Sequence, residues 1–287
     1  MRYFHESVLT KEAIDFLRVK RGDLYIDATL GAAGHTREIL KKGGKVLAID
    51  RDPESTKFVE TLKLKNLKVV NNNFSHIYKI AIEFGITKVS GILFDLGVSS
   101  HQIKDAKRGF SFRKNGPLDM RMEPNLAVTA ADIVNNFEKR RLYEIFQNFA
   151  DERLSRPIAD AIFSTRQIKR ISSTGELAQI IREVYARHKL KTKTDPATKV
   201  FQALRIIVNS ELLNLEEGLL QTEKLLIQEG RLVVISFHSL EDAIVKRFFK
   251  GSKELKVLTK SPIGPTREEI ERNPRSRSAK LRAAEKI

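Results

Sequence analysis

Strands and helices alternate regularly between residues 23 and 96. Four apolar segments with strand character, DLYIDAT, KVLAID, LKVVN and VSGILFDL, are separated by amphipathic segments of helical length. This alternation predicts βαβ units and a parallel sheet with helices on both faces. The strands are apolar along nearly their whole length, which is typical of a sheet that is covered on both sides. The chain is therefore predicted to contain an α/β domain.

The pattern changes after Ile103. Up to Lys199 no segment has convincing strand character, and apolar residues recur at helical spacing, as in RRLYEIFQNF and SSTGELAQIIREVY. We therefore predict an all-helical insert, residues 104–199, within an α/β domain formed by residues 1–103 and 200–287.

Capping and proline signals predict several helix boundaries. Ser173 and Glu176 have the spacing of a capping box, and Ser239 with Asp242 has a similar capping spacing. Pro157 predicts a helix start or a kink, since proline disrupts a helix interior.

A long helical stretch is predicted to begin at Asp195-Pro196, with Asp195 as N-cap and Pro196 in the first turn. We expect a break near Asn214 and an end at Gly230, after which RLVVISF resumes the strand pattern.

The charge distribution favours a polyanionic partner. The 287 residues include 52 Lys or Arg and 36 Asp or Glu, a net charge of +16, although a lysine-rich solvated surface is an alternative. From Lys246 to Ile287 there are 13 basic and 5 acidic residues, a net +8. Arginine makes forked contacts with phosphate, so Arg275, Arg277 and Lys280 are candidates for nucleic-acid binding.

Composition narrows the remaining possibilities. The chain has no cysteine, which excludes disulfides, thiolate zinc sites and cysteine nucleophiles. No His, Asp and Glu grouping has convincing metal-ligand spacing, so we expect no metal site. No apolar stretch approaches the roughly 18 residues of a membrane span, and the first residues lack the apolar core of a signal peptide. We expect a cytoplasmic protein without a membrane partner.

The turn after the first strand, DATLGAAGH, has two glycines where a dinucleotide fold usually has three. Asp27, Asp50 and Asp95 each fall near the end of a predicted strand, which makes them candidates for one crevice. Asp50 is placed to accept hydrogen bonds from ribose hydroxyls. S-adenosylmethionine has adenine, ribose and cationic groups but no phosphate, so it suits this turn better than a dinucleotide. The alternative is ordinary strand-end residues of another α/β protein.

The segment FDLGVSSHQI follows the fourth strand and leads into the insert. Asp95, Ser99, Ser100 and His101 are candidates for lining the reaction centre, because loops after strands carry function. Alternatively, the two serines form an N-cap cluster. No catalytic base can be assigned, since lone histidines such as His238 are more often hydrogen-bonded scaffold.

The stretch RGFSFRKNGPLDMRM, residues 108–122, combines arginine, glycine and aromatic residues. Such a mixture is suited to contacting phosphates and stacking bases, and Arg108 and Arg113 are our candidates for RNA binding. Phe110 and Phe112 are alternatively part of a core.

Eight motifs occur in the order seen in one family: HESVLTKEA, DATLGAAGH, IDRDP, FDLGVSSHQ, RGFSFRKNGPLDMRM, FQALRIIVNSEL, FHSLED and NPRSRSAKLR. From about His5 to Arg282 the chain resembles the bacterial 16S ribosomal RNA cytosine-N4 methyltransferases. The resemblance implies a class I, Rossmann-like methyltransferase fold with an inserted helical domain. Because this insert follows directly on the DLGVSSHQ loop, we expect it to recognise the ribosomal substrate. The resemblance also implies S-adenosylmethionine as cofactor and methylation of a cytosine N4 amine in the decoding region of 16S rRNA within the small subunit. Monomer and homodimer both remain open.

By motif, the resemblance implies a set of cofactor contacts in the turn, after the second to fourth strands and at the start of the insert: Ala33, Gly34, His35, Asp50, Phe74, Asp95 and Gln102. Phe74 also fits independently, because it follows the third strand, where an aromatic ring can stack on adenine.

The chain departs from the family pattern at several positions. The family usually has glycine at Ala33, and a methyl there is tolerable only if the backbone avoids the left-handed region. DPATK replaces the usual HPATR, so no histidine role transfers to Asp195. Ala150 and Pro157 also replace residues typical of the insert.

Three other functions are considered. A DNA amino-methyltransferase is disfavoured because DLGV stands where a Pro-Pro loop is usual, so no DNA partner is expected. A nicotinamide dehydrogenase is disfavoured by the two-glycine turn and the basic C-terminal region. A non-catalytic ribosome-assembly factor that retains the fold is the hardest of the three to exclude from sequence.

Overall fold

The computed structural model describes residues 7–287, apart from the side chain of Ser100. His5 and Glu6 of the first motif lie outside these residues. The chain divides into two compact units. We call them the sheet unit (Met1–Ser99 with Leu212–Ile287) and the helical unit (Ser100–Glu211).

The strands of the sheet unit form one seven-stranded sheet in the described residues, in the order β3-β2-β1-β4-β5-β7-β6. The strands are β1 (Leu24–Asp27), β2 (Lys45–Asp50), β3 (Leu67–Asn71), β4 (Val89–Asp95), β5 (Leu226–Ser236), β6 (Leu255–Val257) and β7 (Lys280–Lys286). The first five are parallel, and β7 runs antiparallel to β5 and β6. The strand order reverses between β1 and β4, so their carboxyl ends form the edge where α/β sheets bind ligands.

Helices connect the strands and build the helical unit. In chain order they are α1 (Thr10–Leu17), α2 (Gly34–Lys41), α3 (Pro53–Thr61), α4 (Ile77–Glu83), α5 (Ser100–Lys104), α6 (Ala130–Asn136), α7 (Lys139–Ala150), α8 (Ser155–Ile168), α9 (Thr174–Arg187), α10 (Ala197–Val208), α11 (Glu211–Leu225), α12 (Ser239–Gly251) and α13 (Arg267–Arg272). None of these helices is both long and apolar enough to cross a membrane.

Alternate residues of the sheet pack into two separate cores. On one face, Tyr25 and Leu93 pack with Ile39 of α2. On the other face, Ile26 and Phe94 pack among residues of α4, α11 and α12. Burial on both faces explains the continuous apolar strands, and the predicted fold class, an α/β sheet domain with an all-helical insert, is confirmed.

The helical unit has its own apolar core. Ser173 and Glu176 form the predicted capping box of α9, and Pro157 lies in the first turn of α8, where proline is tolerated. Helix α10 packs against α7 and adds Phe201 and Leu204 to this core. For that reason the unit runs from Ser100 to Glu211, whereas the sequence pattern placed the insert at residues 104–199.

Two predicted boundaries are wrong. The break falls at Asn209 and Ser210, not near Asn214: Ser210 has a left-handed φ of 49°. The Asn209 side chain bonds the backbone of Met120 and Met122, which fixes the helix end there. The next helix ends at Leu225 rather than at Gly230, because Leu226 already pairs with Val89 of β4.

The basic C-terminal region is folded rather than a tail. Helix α13 contacts the start of α1, where Glu269 Oε1 accepts a hydrogen bond of 2.8 Å from the Leu9 N–H. The last segment, β7, lies between β5 and β6 and supplies Ala283 and Ala284 to the cores. The sequence pattern contained no prediction of this strand.

Candidate active site

Asp27 ends β1 and holds the turn that follows. Its carboxylate accepts hydrogen bonds from Thr36 Oγ1 at 2.6 Å and from the Thr29 N–H at 3.2 Å. The side chain is buried, and burial raises the pKa of Asp27 although both hydrogen bonds oppose the rise. Asp27 therefore ties the end of the strand to the first turn of α2 from a position beneath the surface.

The turn enters α2 through Ala33, which is fully buried and lies in the left-handed region with φ 64° and ψ 30°. The expectation that a methyl is tolerated here only if the backbone avoids the left-handed region is wrong, because Ala33 adopts that region. At Gly34 any Cβ would collide with Ser7 Oγ. The backbone here packs closely against the segment before α1, which explains the need for a small residue at Gly34.

Asp50 lies at the end of β2 and bonds the same turn. Its Oδ2 accepts from the Gly31 N–H at 2.7 Å, and its Oδ1 accepts from the Asp52 N–H at 2.9 Å. Loss of solvent raises the pKa of Asp50 to about 7, against the effect of these bonds, and the charges of Asp52 and Asp27 add to the rise. Each carboxylate oxygen keeps a further lone pair with which a ribose hydroxyl can bond.

His35 and Asp95 face each other behind the turn. The buried imidazole places Nε2 3.0 Å from the Val8 carbonyl oxygen and Nδ1 3.5 Å from Asp95 Oδ2. Burial lowers the pKa of His35 to about 4, so the ring is neutral at neutral pH. A carbonyl only accepts, so Nε2 carries the proton and Nδ1 presents a lone pair to Asp95.

The carboxylate of Asp95 is incompletely satisfied. Within the described part of the chain, its buried Oδ1 has no hydrogen-bond partner. Burial raises the pKa of Asp95 well above its usual value, and the charges of Asp27 and Glu241 raise it further. Gly97, with φ 95°, turns the chain sharply away just after this residue. An unbonded buried oxygen at the end of β4 is costly unless a ligand completes it.

These carboxylates suit a cationic ligand. Asp27 lies close enough to Asp50 and to Asp95 for its charge to raise the pKa of both. That the three line one crevice stays a prediction. The segment DATLGAAGHT that surrounds them contains neither lysine nor arginine. A site of this kind, which is rich in carboxyl groups and has no lysine or arginine in this segment, fits the sulfonium and ammonium groups of S-adenosylmethionine and disfavours a pyrophosphate.

Phe74 occupies a single 3₁₀ turn, Phe74–His76, after β3. Its ring packs edge-on against Phe94 with centroids 5.4 Å apart, and α11 approaches it closely at Gly218. The ring is only half-buried, so part of it stays accessible to a planar ligand. Its stacking on adenine stays a prediction.

The loop after β4 passes from one unit to the other. Ser99 ends the first stretch of the sheet unit, and Ser100, His101 and Gln102 belong to α5 of the helical unit. Gln102 is buried and His101 is half-buried, and both make further interactions. The grouping of these residues with Asp95 stays a prediction.

His238 is the N-cap of α12. Its Nδ1 lies 3.4 Å from the Glu241 N–H, and Glu241 Oε2 accepts from the N–H groups of Phe237 and His238. This capping box is one residue earlier than the predicted pair of Ser239 and Asp242, which is wrong. Buried Glu241 is not among the residues predicted from the sequence, and the signal that points to it is the position of FHSLED directly after a strand.

The segment 108–122 is a compact loop that is held by hydrogen bonds within the segment. Arg108 Nη2 donates to the carbonyls of Arg121 and Met122 at 3.2 and 2.8 Å. A Cβ at Gly109 or Gly116 would collide with neighbouring backbone. Arg108 thus holds the loop together within the helical unit, which is a structural role that the sequence analysis did not foresee.

The two phenylalanines of this segment pack on the core of the helical unit. Phe112 contacts Phe201 edge-on, with centroids 4.9 Å apart, which supports the core alternative for these rings. Arg113, in contrast, is exposed and stays a candidate for RNA binding.

The C-terminal candidates differ in their surroundings. Lys280 Nζ lies 3.7 Å from Asp242 Oδ2, and Arg282 binds the same carboxylate at 2.6 Å. Arg275 and Arg277 lie exposed in the 3₁₀ segment Pro274–Ser278, and Arg275 makes a further interaction. A phosphate would compete with Asp242 for Lys280, so Arg277 is the more available cation.

Known proteins resemble the whole chain. The family described as the MraW methylase family matches residues 2–287. A relative from Deinococcus deserti, named ribosomal RNA small subunit methyltransferase H, is 47% identical over 283 residues, 99% of this chain and 93% of the relative. A relative of the same name from Halothermothrix orenii is 43% identical over 306 residues, 99% and 98% of the two chains. A solved rRNA methylase from Streptococcus thermophilus is 12% identical with a TM-score of 0.41, over 96% and 95%.

Proposed function

The chain belongs to the MraW methylase family, and we propose that it methylates the exocyclic N4 amine of a cytosine in the decoding region of 16S rRNA. The family prediction is confirmed, and the cofactor is S-adenosylmethionine, as predicted. The names of the curated relatives support methylation of small-subunit rRNA. The choice of cytosine N4 rests on the motif resemblance and on the chemistry of the site, and an rRNA substrate implies action in the cytoplasm.

The observation that carries the proposal is the unbonded oxygen of Asp95. It lies at the end of β4, buried within the cluster that contains Asp27 and Asp50. A methylated amine develops positive charge, so a carboxyl oxygen that can accept an N–H bond is suited to stabilise it. S-adenosylmethionine, when bound, supplies an electrophilic methyl group.

The residues of this chain bind the cofactor and orient the reacting groups. Asp50 is assigned to the ribose hydroxyls, and the close-packed turn at Ala33 and Gly34 is assigned to the methionine end. The N4 lone pair of cytosine is delocalised into its ring, so the rate must come largely from orientation and electrostatics. Cysteine is absent, which argues against attack on C5 through a thiolate. The target base must leave its stack to reach such a site.

His35 is assigned to hold Asp95. Its Nε2 proton is fixed by the Val8 carbonyl, so Nδ1 can accept a proton shared with Asp95 Oδ2. Neutral His35 thereby orients the carboxyl group and leaves Oδ1 for the substrate amine. This makes His35 a positioning residue rather than the proton acceptor.

The helical unit is proposed to recognise the ribosomal substrate. It follows directly on the loop after β4, and exposed Arg113 offers a phosphate contact. A non-catalytic assembly factor is the competing function, but it gives no reason for an unbonded buried carboxyl oxygen at the ligand edge of the sheet.

The test is to incubate the protein with 16S rRNA or 30S subunits and methyl-labelled S-adenosylmethionine. The RNA is then digested to nucleosides and analysed by mass spectrometry. We expect labelled N4-methylcytidine as the product. Label on C5 or on another base would overturn the N4 assignment, and no label on either substrate would favour the assembly factor.

A further inference from the structure

A second basic element lies in the helical unit, from the last residue of α9 to just before α10. Residues 187–194, RHKLKTKT, are all exposed and contain four lysine or arginine residues and no carboxylate. We call this segment the basic loop. None of the sequence motifs described above covers this segment, and the proposed function does not use it.

Both ends of the basic loop are fixed. At its start, Lys189 has a left-handed φ of 52°, and the Lys189 and Leu190 N–H groups donate to the carbonyls of Ala186 and Tyr185. This is the bonding of a Schellman helix end. At its end, Asp195 Oδ1 accepts from the N–H of Ala197, the first residue of α10, whereas the N-cap is Pro196 and not Asp195 as predicted. The cations are therefore carried on a short loop with defined ends.

The base of the loop lies beside the segment 108–122. Arg182 donates to Asp195 Oδ2 at 2.7 and 3.0 Å, and its guanidinium lies 5.7 Å from the centroid of the Phe112 ring. Phe112 is followed by exposed Arg113 and Lys114. Two separate stretches of chain thus bring exposed cations next to each other within one unit.

Stabilisation of the C-terminus of α9 explains only part of the positive charge of the basic loop. Cations near a helix C-terminus interact favourably with its dipole, and the effect fades within the last turn. Arg187 lies in that turn and pairs with Glu183 at 3.8 Å. Lys191 and Lys193 lie beyond it, and in residues 7–287 no carboxylate comes within ion-pair distance of either one or of Lys189.

We propose that the basic loop binds backbone phosphates of the RNA substrate. The proposal rests on the proposed function and names a contact surface for it. Exposed unpaired lysines attract phosphate and gain by releasing counterions, without selecting a base. The loop would orient the RNA on the helical unit beside Arg113.

The test replaces the three lysines together, Lys189→Gln, Lys191→Gln and Lys193→Gln. The matched control is Lys42→Gln, Lys45→Gln and Lys65→Gln. These are three exposed lysines at the amino ends of β2 and β3, opposite the ligand edge. Both triple variants lower the net charge equally, so only local contact separates them.

The measurement is affinity for 16S rRNA between about 0.05 and 0.3 M salt. We expect the loop variant to bind at least about tenfold more weakly at low salt and to lower the salt slope by about two units. The control variant should lose much less affinity for 16S rRNA. Calorimetric affinity for S-adenosylmethionine should stay normal in both variants, which verifies folding.

Two outcomes would overturn the proposal. If the loop variant and the control lose equally little affinity, the loop is a solvated surface. If binding to naked rRNA persists while binding to 30S subunits falls, the loop contacts a ribosomal protein. Because binding is measured without methyl transfer, a failure of the proposed function is seen separately, as absence of product from the unaltered protein.

Discussion

The sheet unit and the helical unit place their functional charges in opposite ways. In the sheet unit, Asp27, Asp50 and Asp95 crowd the end of the central strands, lose solvent, and have raised pKa values. In the helical unit the lysines of the basic loop stand in solvent without carboxylate partners in the described residues. Buried charge must be fixed by neighbours before a ligand arrives, which suits a small cationic cofactor. Exposed charge acts over a long range and suits a polyanion.

The largest effect is expected at Asp95. Asp95→Asn should lower methyl transfer at least about 100-fold, because an amide, unlike a carboxyl group that shares its proton with His35, cannot ionise to stabilise the developing cation. Affinity for 16S rRNA should be unchanged. Methyl incorporation under saturating cofactor is the measurement.

The matched control is Asp23→Asn, a carboxylate that precedes β1 and accepts from Ser90 Oγ. Normal methylation by Asp95→Asn would remove Asp95 from the reaction centre and weaken the contrast between the two units.

Asp50 should affect cofactor affinity rather than RNA affinity. Asp50→Ala strands the Gly31 and Asp52 N–H groups and removes the ribose acceptor, so calorimetry should show binding weaker by about 1–3 kcal/mol. Asp50→Asn keeps one acceptor oxygen and should lose less. Equal affinity in folded Asp50→Ala would place the cofactor elsewhere.

Cofactor affinity should depend on pH through Asp50. Its pKa in the free protein is about 7, and ribose donors bond the ionised form better. Affinity should therefore fall by about tenfold as the pH drops from about 8 to 6, while protons are released on binding.

The raised pKa of Asp50 makes the stability of the fold depend on pH in the opposite direction to cofactor affinity. A carboxyl group whose pKa is raised contributes stability below its unfolded pKa and loses it as the pH rises through about 7. Asp50→Asn should flatten both pH dependences. An unchanged pH profile of binding in that variant would show that another group titrates.

A substitution of Arg113 tests the proposed RNA-binding role of the helical unit. Arg113→Gln should weaken rRNA binding several-fold, by loss of about one phosphate contact, and leave cofactor affinity normal. Arg108 is unsuitable for this purpose, since its guanidinium bonds two carbonyls and its loss would disturb the loop. Weaker cofactor binding in Arg113→Gln would contradict the separation of the two roles.

The smallest effect is expected for Ala33→Gly. Ala33→Gly removes left-handed strain of about 1–2 kcal/mol but also loses a buried methyl and gains unfolded-state entropy, so the free energy of unfolding should change by less than about 1 kcal/mol. Ala33→Val should cost at least about 2 kcal/mol, because a β-branched residue is poorly tolerated at φ 64°. Thermal unfolding of the two variants distinguishes these outcomes, and a stable Ala33→Val protein would contradict the backbone argument.

Sequence patterns predicted the first four strands, their helices and the strand-end carboxylates, because alternation and apolar runs are local signals. They failed where contacts between residues distant in the chain determine the local structure. Asn209 ends a helix because it bonds Met120 and Met122, far away in the chain. Likewise, β7 is charged and short of apolar residues, and only its place between β5 and β6 makes it a strand. The fixed role of Arg108 and the orphan oxygen of Asp95 also depend on packing that no motif reveals.

The pairing of β4 with β5 has a consequence for the order of folding. Phe94 pairs with Val234, and the entire helical unit lies between them in the chain. Closing a disordered loop of that length costs roughly 4 kcal/mol in chain entropy, and strand pairs of such wide separation form slowly. A helical unit that folds first, through its own core, shortens the disordered path between β4 and β5. We therefore expect the carboxyl edge of β4 to form in the last, slow step, so that helical circular dichroism recovers before cofactor binding does during refolding.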